Sequence, residues 1–204
     1  MHTILHLNSS VRRSGSVSRQ LSSEFIEKLK LTHPGSSVIE RDLATSPIPH
    51  LDETMMGAFF TPENQRSSEQ KNVVQLSDAL VAELLAADVI VIGAPMYNFS
   101  VSSTMKSWID HVARAGVTFR YTDKGPEGML KDKKVFIFTS RGGVYSTGPA
   151  KAMDFHETYL RAVLGFIGLT DIHFVHSEGL AMGDDAVNSA VAGSRTAMDA
   201  LIAA

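Results

Sequence analysis

The stretch DVIVIGAP, residues 88–95, indicates the fold more clearly than any other part of the chain. Valine and isoleucine follow one another there almost without interruption, instead of alternating with polar residues. Such a run is typical of a central strand in a parallel sheet, because helices cover both faces of that strand. The stretch KVFIFTS, Lys134–Ser140, has the same character. We therefore predict two central strands that are buried on both faces.

Three further stretches are predicted to be strands, namely Thr3–Asn8, residues 37–43 and Asp171–Ser177. Between the strands, apolar residues recur every three or four positions, as they do on the buried face of a helix. A last helix is expected from Asp184 to about Ala203. The helical stripes consist of Leu21, Phe25 and Leu29, then Val73, Leu76, Leu80 and Leu84, then Met105, Trp108, Ile109 and Val112.

The alternation of strands and helices predicts an α/β fold built on one open, doubly wound parallel sheet. Five strands joined by right-handed crossovers fit the order 2-1-3-4-5, with helices on both faces. Gly116 is expected to cap the third helix, and Pro149 to lie in the first turn of the fourth. No repeat or linker interrupts the pattern, so we predict a single domain over residues 1–204. Two long segments do not fit the regular alternation: residues 47–66 are irregular, and residues 117–133 contain an alternating VTFRYT followed by the turn-rich DKGPEG. Loops of this length are usually functional or mobile, so both are candidates for lids over a ligand.

Composition excludes several classes of function. The 204 residues carry a formal net charge of -3, so no global basic field favours nucleic acid or an anionic membrane. No apolar run approaches the roughly twenty residues that span a bilayer, and the first residues lack the features of a signal peptide. The chain has no cysteine, which fits a reducing compartment. We expect a soluble, cytoplasmic protein.

The loop after the first strand, SSVRRSGSVS, contains five serines and leads into the first helix. Ligands of open α/β sheets bind beyond the carboxyl ends of the strands, where this loop lies. Hydroxyl groups and the N–H groups of a helix N-terminus suit a phosphate. The loop lacks both the G-x-x-x-x-G-K-[ST] and the G-x-G-x-x-G motif, which disfavours nucleoside triphosphates and dinucleotides. It favours a monophosphate, although a flexible turn with a capping serine is an equal alternative from this loop alone.

Two other loops at the same edge suggest what the phosphate is attached to. The third strand runs into MYNF, whose Tyr97 and Phe99 offer an aromatic surface to a flat group. The fourth strand runs into SRGG, where Gly142 and Gly143 allow close approach of the backbone and Arg141 can stabilise negative charge. A phosphate tail with a planar polar head describes flavin mononucleotide, FMN.

The combination of APMYNF, RAGVTFRYT, GPEG and TSRGG is distinctive, and the chain resembles the FMN-dependent NADH-azoreductase family over its whole length. That family consists of flavodoxin-like quinone and azo-dye reductases. The resemblance implies that Ser10, Ser16, Val17 and Ser18 hold the phosphate. It implies that the ring is held by Met96, Tyr97, Asn98 and Phe99 and by Ser140, Arg141, Gly142 and Gly143. The chain has Val163 where the family leads us to expect an aromatic residue, so Tyr121 is predicted as the aromatic lid of the substrate pocket.

The resemblance also implies a two-step, ping-pong exchange, in which NADH or NADPH gives two electrons to the flavin and leaves before a quinone or azo compound takes them. It implies a homodimer with the site at the subunit boundary. The residues leave open whether NADH or NADPH is the donor and whether quinones or azo compounds are the acceptors. Two alternatives are an electron-transfer flavoprotein without a substrate of its own and a ligand-binding protein that has lost the flavin.

Other chemistries have weaker signals. His173 and His176 are spaced so that their rings point to opposite faces of a strand, which does not make a chelate, and we predict no metal site. A serine hydrolase of the α/β class needs a G-x-S-x-G elbow, which is absent. No side chain is assigned as a catalytic acid or base, because the flavin would carry the chemistry.

Overall fold

The computed structural model describes residues 2–203 and contains a five-stranded parallel sheet. The strands are β1 (Thr3–Asn8), β2 (Ser37–Asp42), β3 (Val89–Pro95), β4 (Phe119–Thr122), β5 (Gly125–Gly128), β6 (Lys134–Ser140) and β7 (Asp171–Ser177). The order in the sheet is β2-β1-β3-β6-β7, which is the predicted 2-1-3-4-5 order once the two short strands outside this sheet are left uncounted. Those two strands, β4 and β5, pair with each other in an antiparallel hairpin.

Helices cover both faces of the sheet, as predicted. The helices are α1 (Val17–Thr32), α2 (Glu53–Phe60), α3 (Ser68–Ala86), α4 (Ser103–Val112), α5 (Phe155–Phe166) and α6 (Asp184–Ala203). One face of the sheet packs its apolar side chains, such as Leu5 and Ile90, against α3, α4 and α5, and this layer includes the fully buried Trp108. The other face packs Ile4 and Phe138 against α1 and α6.

The prediction of an irregular loop over residues 47–66 is wrong in part, because α2 lies within it. Asp52 caps this helix by accepting a hydrogen bond of 2.8 Å from the Met55 N–H. The run MMGAFF is apolar on all sides, so it shows no helical period in the sequence. Residues 117–133 likewise contain the β4–β5 hairpin rather than loop alone.

Two helix ends also differ from the prediction. Ala113, not Gly116, is the C-cap of α4, and Gly116 lies further on in a turn with a φ of 76°. Pro149 opens a short 3-10 turn, Pro149–Met153, and α5 begins only at Phe155. Asp154 separates the two by capping α5 with its carboxylate. Within residues 2–203, no helix combines the length and the apolar character needed to cross a membrane.

Candidate functional site

A cleft of about 240 Å³ lies at the carboxyl edge of the sheet, where the loops after β1, β3 and β6 meet. The structure therefore brings together the three loops that the sequence singles out. Leu180 and Val187, from the segment after β7 and from α6, complete the lining and were not predicted. The remaining lining residues are Ser10, Arg12, Gly15, Ser16, Val17, Pro95, Tyr97 and Ser140.

The phosphate end of the cleft is the start of α1. Ser16 is the N-cap, and its hydroxyl lies 3.3 Å from that of Ser18. The N–H groups of Val17 and Ser18 belong to the first turn, so they have no carbonyl partner inside the helix. These donors lie at the positive end of the helix dipole. Such an arrangement suits a phosphate group, and the exposed Arg12 lines the same cleft.

An ion pair fixes the shape of this loop. Arg19 donates two hydrogen bonds to the Asp42 carboxylate, at 2.8 and 3.1 Å, and one of 3.1 Å to the Ser10 carbonyl. Burial alone would raise the pKa of Asp42, but hydrogen bonds from Arg19 and from the Ala44 and Thr45 N–H groups hold it below its ordinary value. No pattern in the sequence indicates this pair, because its two members lie on α1 and β2.

The loop after β3 is a tight turn with a strained backbone. Tyr97 and Ser100 exchange two backbone hydrogen bonds, of 2.9 and 3.0 Å, around Asn98 and Phe99. These two residues have φ values of 47° and 70°, in the left-handed region that favours glycine. Asparagine tolerates this region, but phenylalanine is uncommon there. Phe99 is 42% exposed at this turn.

The three loops are tied to one another. The Ser102 hydroxyl caps α4 by accepting from the Met105 N–H, and it donates to the Ser9 carbonyl at 3.0 Å. The Met96 N–H donates to the Ser140 carbonyl at 2.9 Å. The first bond joins the β3 loop to the β1 loop, and the second joins it to the end of β6.

The segment Gly142, Gly143, Val144, Tyr145 and Ser146 follows β6, and we name it the glycine loop. Among residues 2–203, the N–H groups of Gly142 and Gly143 donate to no other residue. A Cβ on Gly143 would lie 3.3 Å from the Tyr145 ring, so that ring rests on the glycine. Tyr145 meets Phe99 edge to face, with 6.2 Å between ring centroids. Tyr145 is therefore a further aromatic residue beside the cleft, which sequence reasoning missed.

The Arg141 side chain does not reach the cleft. Its guanidinium is fully buried, and Nη1 donates to Glu178 at 3.1 Å and forms an ion pair of 2.9 Å with the Asp154 carboxylate. Its Nε and Nη2 atoms are also buried, with no partner among residues 2–203. The expected role of this side chain at the edge of a bound ring does not fit this orientation. The cause is the pair of carboxylates, which attract the guanidinium into the interior.

Tyr121 does not line this cleft either. It lies on β4, is 75% exposed, and meets Phe119 edge to face. It borders a second cavity, of about 290 Å³, together with residues of α2 and the end of α4. Among its neighbours there are Leu51, Met56, Phe59 and Phe60.

The donor groups at this edge of the sheet fit FMN. Unsatisfied N–H groups at the start of α1 suit the phosphate, and those of Gly142 and Gly143 suit polar atoms of a ring. Of the twelve residues predicted as FMN contacts, five line the cleft, namely Ser10, Ser16, Val17, Tyr97 and Ser140. Ser18, Met96, Asn98, Phe99, Gly142 and Gly143 lie in the same segments of the chain without lining it, and the Arg141 side chain is buried in the interior.

Two histidine clusters lie outside the cleft. Ser22 Oγ is 2.9 Å from His6 Nε2, and His6 Nδ1 is 2.9 Å from Glu40, as in a serine hydrolase. Ser22 is fully buried and donates to the Arg19 carbonyl, so no substrate reaches it and the chain of hydrogen bonds is structural. His173 pairs with Asp171, whereas His176 contacts Thr139 and Glu157. Residues 2–203 hold no group of three or more histidine, aspartate and glutamate side chains arranged for a metal.

A parallel sheet in this order, with a phosphate nest after β1 and an aromatic turn after β3, defines the class of flavodoxin-like proteins. Comparison with known families agrees. The model of a family described as having a flavodoxin-like fold, Flavodoxin_2, matches residues 2–202. The chain belongs to this family.

Individual proteins similar to this chain give a more specific comparison than the family does. Over 204 residues, the chain is 59% identical to a protein of Herminiimonas arsenicoxydans named FMN-dependent NADH:quinone oxidoreductase, and the match covers 100% of both chains. It is 53% identical over 200 residues to FMN-dependent NADH:quinone oxidoreductase 6 of Burkholderia lata, covering 98% of this chain and 100% of that one. The crystal structure of an azoreductase from Bacillus anthracis str. Sterne superposes with a TM-score of 0.90 at 31% identity, covering 98% of each chain.

Proposed function

We propose that this chain is an FMN-dependent oxidoreductase that passes two electrons from NAD(P)H to quinones and azo compounds. The observation that carries the proposal is the meeting of the phosphate nest, the aromatic turn and the end of β6, where the glycine loop begins, at one cleft. The proteins named FMN-dependent NADH:quinone oxidoreductase, at 59% and 53% identity over almost the full length, support the same reaction. The azoreductase structure supports azo compounds as acceptors.

Each part of the cleft has its own task in this proposal. Bound FMN supplies two-electron redox chemistry that no side chain of the chain offers. Ser10, Ser16 and the N–H groups of Val17 and Ser18 bind its phosphate. Met96, Tyr97, Asn98 and Phe99 pack against one side of the ring system, and Ser140, Gly142 and Gly143 donate from the other loop. The Arg141 side chain does not contact the ring. Arg141 contributes through its backbone and through Asp154 and Glu178, the two carboxylates that its side chain binds.

We propose a homodimer as the active unit, with Tyr121 contributed to the site of the partner subunit. A monomer leaves apolar side chains exposed on α2 and the hairpin, where Phe60 and Tyr121 are each 75% exposed and Met56 is 40% exposed. Exposed patches of this kind mark interaction sites. A second copy would cover the patch and explain why Tyr121 lies outside its own cleft. One domain over residues 1–204 and a cytoplasmic location stay predictions from the sequence.

The oligomeric state tests the dimer. Phe60→Glu places a charge in the patch and is expected to give a monomer in analytical ultracentrifugation, whereas the wild type sediments as a dimer. Leu31→Glu changes an equally exposed apolar residue at the end of α1, 81% exposed, and should leave the dimer intact. A wild type that sediments as a monomer at micromolar concentration would overturn this part of the proposal.

A spectroscopic titration in a single cuvette tests the proposed reaction. The purified protein is mixed with FMN, freed of unbound flavin, and followed by its visible spectrum while NADH and then a quinone are added. We expect a yellow protein that bleaches with NADH and regains its colour with quinone. Flavin that binds but is not bleached would favour an electron carrier over an enzyme. A colourless protein would contradict the reading of all three loops and favour a binding protein without flavin.

A further inference from the structure

The glycine loop has no regular secondary structure of its own, and it is held from the end of β7. The Gly179 N–H donates to the Gly143 carbonyl and the Ala181 N–H to the Gly142 carbonyl, both at 3.0 Å. These bonds occupy the carbonyl groups of the two glycines. Their N–H groups are thereby left on the other side of the backbone, free to bind a ligand.

Glu178 holds the other half of the same loop. Its carboxylate accepts from the Tyr145 N–H at 2.8 Å and from the Ser146 N–H at 3.0 Å. It also accepts from the Ser146 hydroxyl. One side chain thus takes up three donors of the loop. Burial alone would raise the pKa of Glu178, but hydrogen bonds from Ser146, Tyr145 and Arg141 hold it below its ordinary value, so the side chain is a carboxylate.

Arg141 fixes Glu178 in turn. The guanidinium is fully buried and its Nη1 bridges Glu178 and Asp154. Asp154 is itself immobilised, because it caps α5 by accepting from the His156 and Glu157 N–H groups. The chain of contacts therefore leads from the start of α5, through Arg141, to Glu178 and the loop. A charge-assisted contact in such a buried place is stronger and more directional than one in water.

We infer that Glu178 is a positioning residue that sets the glycine loop, with Arg141 as the buried cation that orients it. The inference rests on the proposed function for the identity of the ligand, since the loop presents the N–H groups of Gly142 and Gly143 to the FMN ring. This role for Arg141, orienting Glu178, is compatible with the burial of its guanidinium. It also explains why Tyr145 stays in contact with Phe99 across the cleft: its own N–H is bonded to Glu178.

The test compares Glu178→Ala with a matched control, Glu24→Ala. Glu24 receives two hydrogen bonds from Arg195, so its loss breaks the same kind of pair, but on the exposed outer side of α1 and α6. The first readout is amide hydrogen exchange of residues 142–146 in the protein without FMN. The others are the FMN dissociation constant and the midpoint potential of the bound flavin.

We expect Glu178→Ala to speed exchange at Tyr145 and Ser146 about tenfold and to weaken FMN binding about tenfold, because buried donors lose their acceptor. The bound flavin should also change its midpoint potential, which a general loss of fold stability would not cause. Glu178→Gln keeps an acceptor oxygen and should restore most of the affinity. If Glu178→Ala does not fold, Glu178→Gln replaces it as the test variant. Exchange in Glu178→Gln should be about threefold faster than in the wild type, because a neutral acceptor is weaker than a carboxylate. Glu24→Ala should match the wild type in all three readouts.

Wild-type exchange rates in Glu178→Ala, or an equal loosening of the glycine loop in Glu24→Ala, would overturn the inference. Because exchange is measured without flavin, this result is separate from the proposed function. If the wild type binds no FMN, the proposed function fails, while the exchange comparison still supports or overturns the positioning role of Glu178.

Discussion

Gly128 of the β4–β5 hairpin lies directly on Gly168 of the turn between α5 and β7. A Cβ on Gly128 would be 2.1 Å from the Gly168 backbone nitrogen, closer than any real contact. A neighbouring hydrogen bond of 3.0 Å, from the Leu130 N–H to the Ile167 carbonyl, fastens the same region. The hairpin is therefore attached to the body of the protein by backbone contact, which does not fit the lid expected for residues 117–133.

Gly128→Ala should therefore destabilise the protein, because the backbone of the turn has to move. We expect a loss of about 2 kcal/mol or more in the free energy of unfolding, measured by urea denaturation. The control is Gly165→Ala, in the nearby α5, where an added Cβ meets nothing within 4 Å. Equal free energies of unfolding for the two variants would show that the hairpin can move away from Gly168 without a cost in stability.

The left-handed conformation of Phe99 predicts that two substitutions at this position differ in fold stability but not in flavin binding. Phe99→Gly removes the cost of a positive φ, so we expect it to be about 1 kcal/mol more stable than Phe99→Ala, which keeps that cost. Both variants lack the ring and should bind FMN about tenfold more weakly than the wild type. Urea denaturation and flavin fluorescence measure the two quantities. If the Gly and Ala variants are equally stable, the turn relaxes and the strain is not retained.

Substitutions of Ser16 separate capping of α1 from phosphate binding. Ser16→Asp keeps a good N-cap and suits the helix dipole, so fold stability should be retained while repulsion of the phosphate abolishes FMN binding. Ser16→Ala should lose about 1 kcal/mol of stability and weaken binding about tenfold. Ser14→Ala, exposed in the same loop, is the control. Unchanged FMN affinity in Ser16→Asp would place the phosphate elsewhere.

His156 predicts a pH dependence of stability. Burial and the neighbouring Arg141 lower its pKa to about 4, with Asp154 and Glu157 opposing the shift and His176 adding to it. The unfolded chain takes up this proton near the ordinary pKa of about 6.5, whereas the folded protein does so only near 4. The contribution of neutral His156 to the free energy of unfolding is therefore complete above about pH 6.5 and is lost as the pH falls toward 4.

His156→Leu removes this dependence. Between about pH 7 and about pH 5, the wild type should lose about 2 kcal/mol more of its free energy of unfolding than the variant does. His111 and His176, whose pKa values are also lowered, are present in both proteins and cancel in the comparison. Parallel stability curves for the two proteins would contradict a neutral, buried His156.

The sequence predicts the main sheet well because burial on both faces leaves an unmistakable apolar run. The bounds of Thr3–Asn8, Lys134–Ser140 and Asp171–Ser177 agree with the structure. The order of the five sheet strands, chosen among the orders that right-handed crossovers allow, also agrees. The helix α2 escaped prediction because MMGAFF has no polar side to define its period. The hairpin was seen only as alternation in VTFRYT, and its partner strand GPEG looks like a turn.

The site is predicted as a set of loops but not in the direction of each side chain. Loops at the carboxyl ends of parallel strands must meet, whichever residues they contain. Arg141 turns inward because of Asp154 and Glu178, and Glu178 lies 37 residues away along the chain. No local pattern reports such a partner. The position of Tyr121 likewise depends on how the hairpin is held, through the Gly128–Gly168 contact and the hydrogen bond from Leu130 to Ile167.

The hydroxyl of Ser102 has a consequence for any redesign of this cleft. It caps the start of α4 and also donates to the carbonyl of Ser9, so the β3 turn and the phosphate loop are joined through a single oxygen atom. A chimaera that exchanges the MYNF turn together with this serine for a residue without a hydroxyl would disturb the phosphate loop as well, although that loop is unchanged in sequence. The two halves of the cleft therefore have to be exchanged together, as one unit.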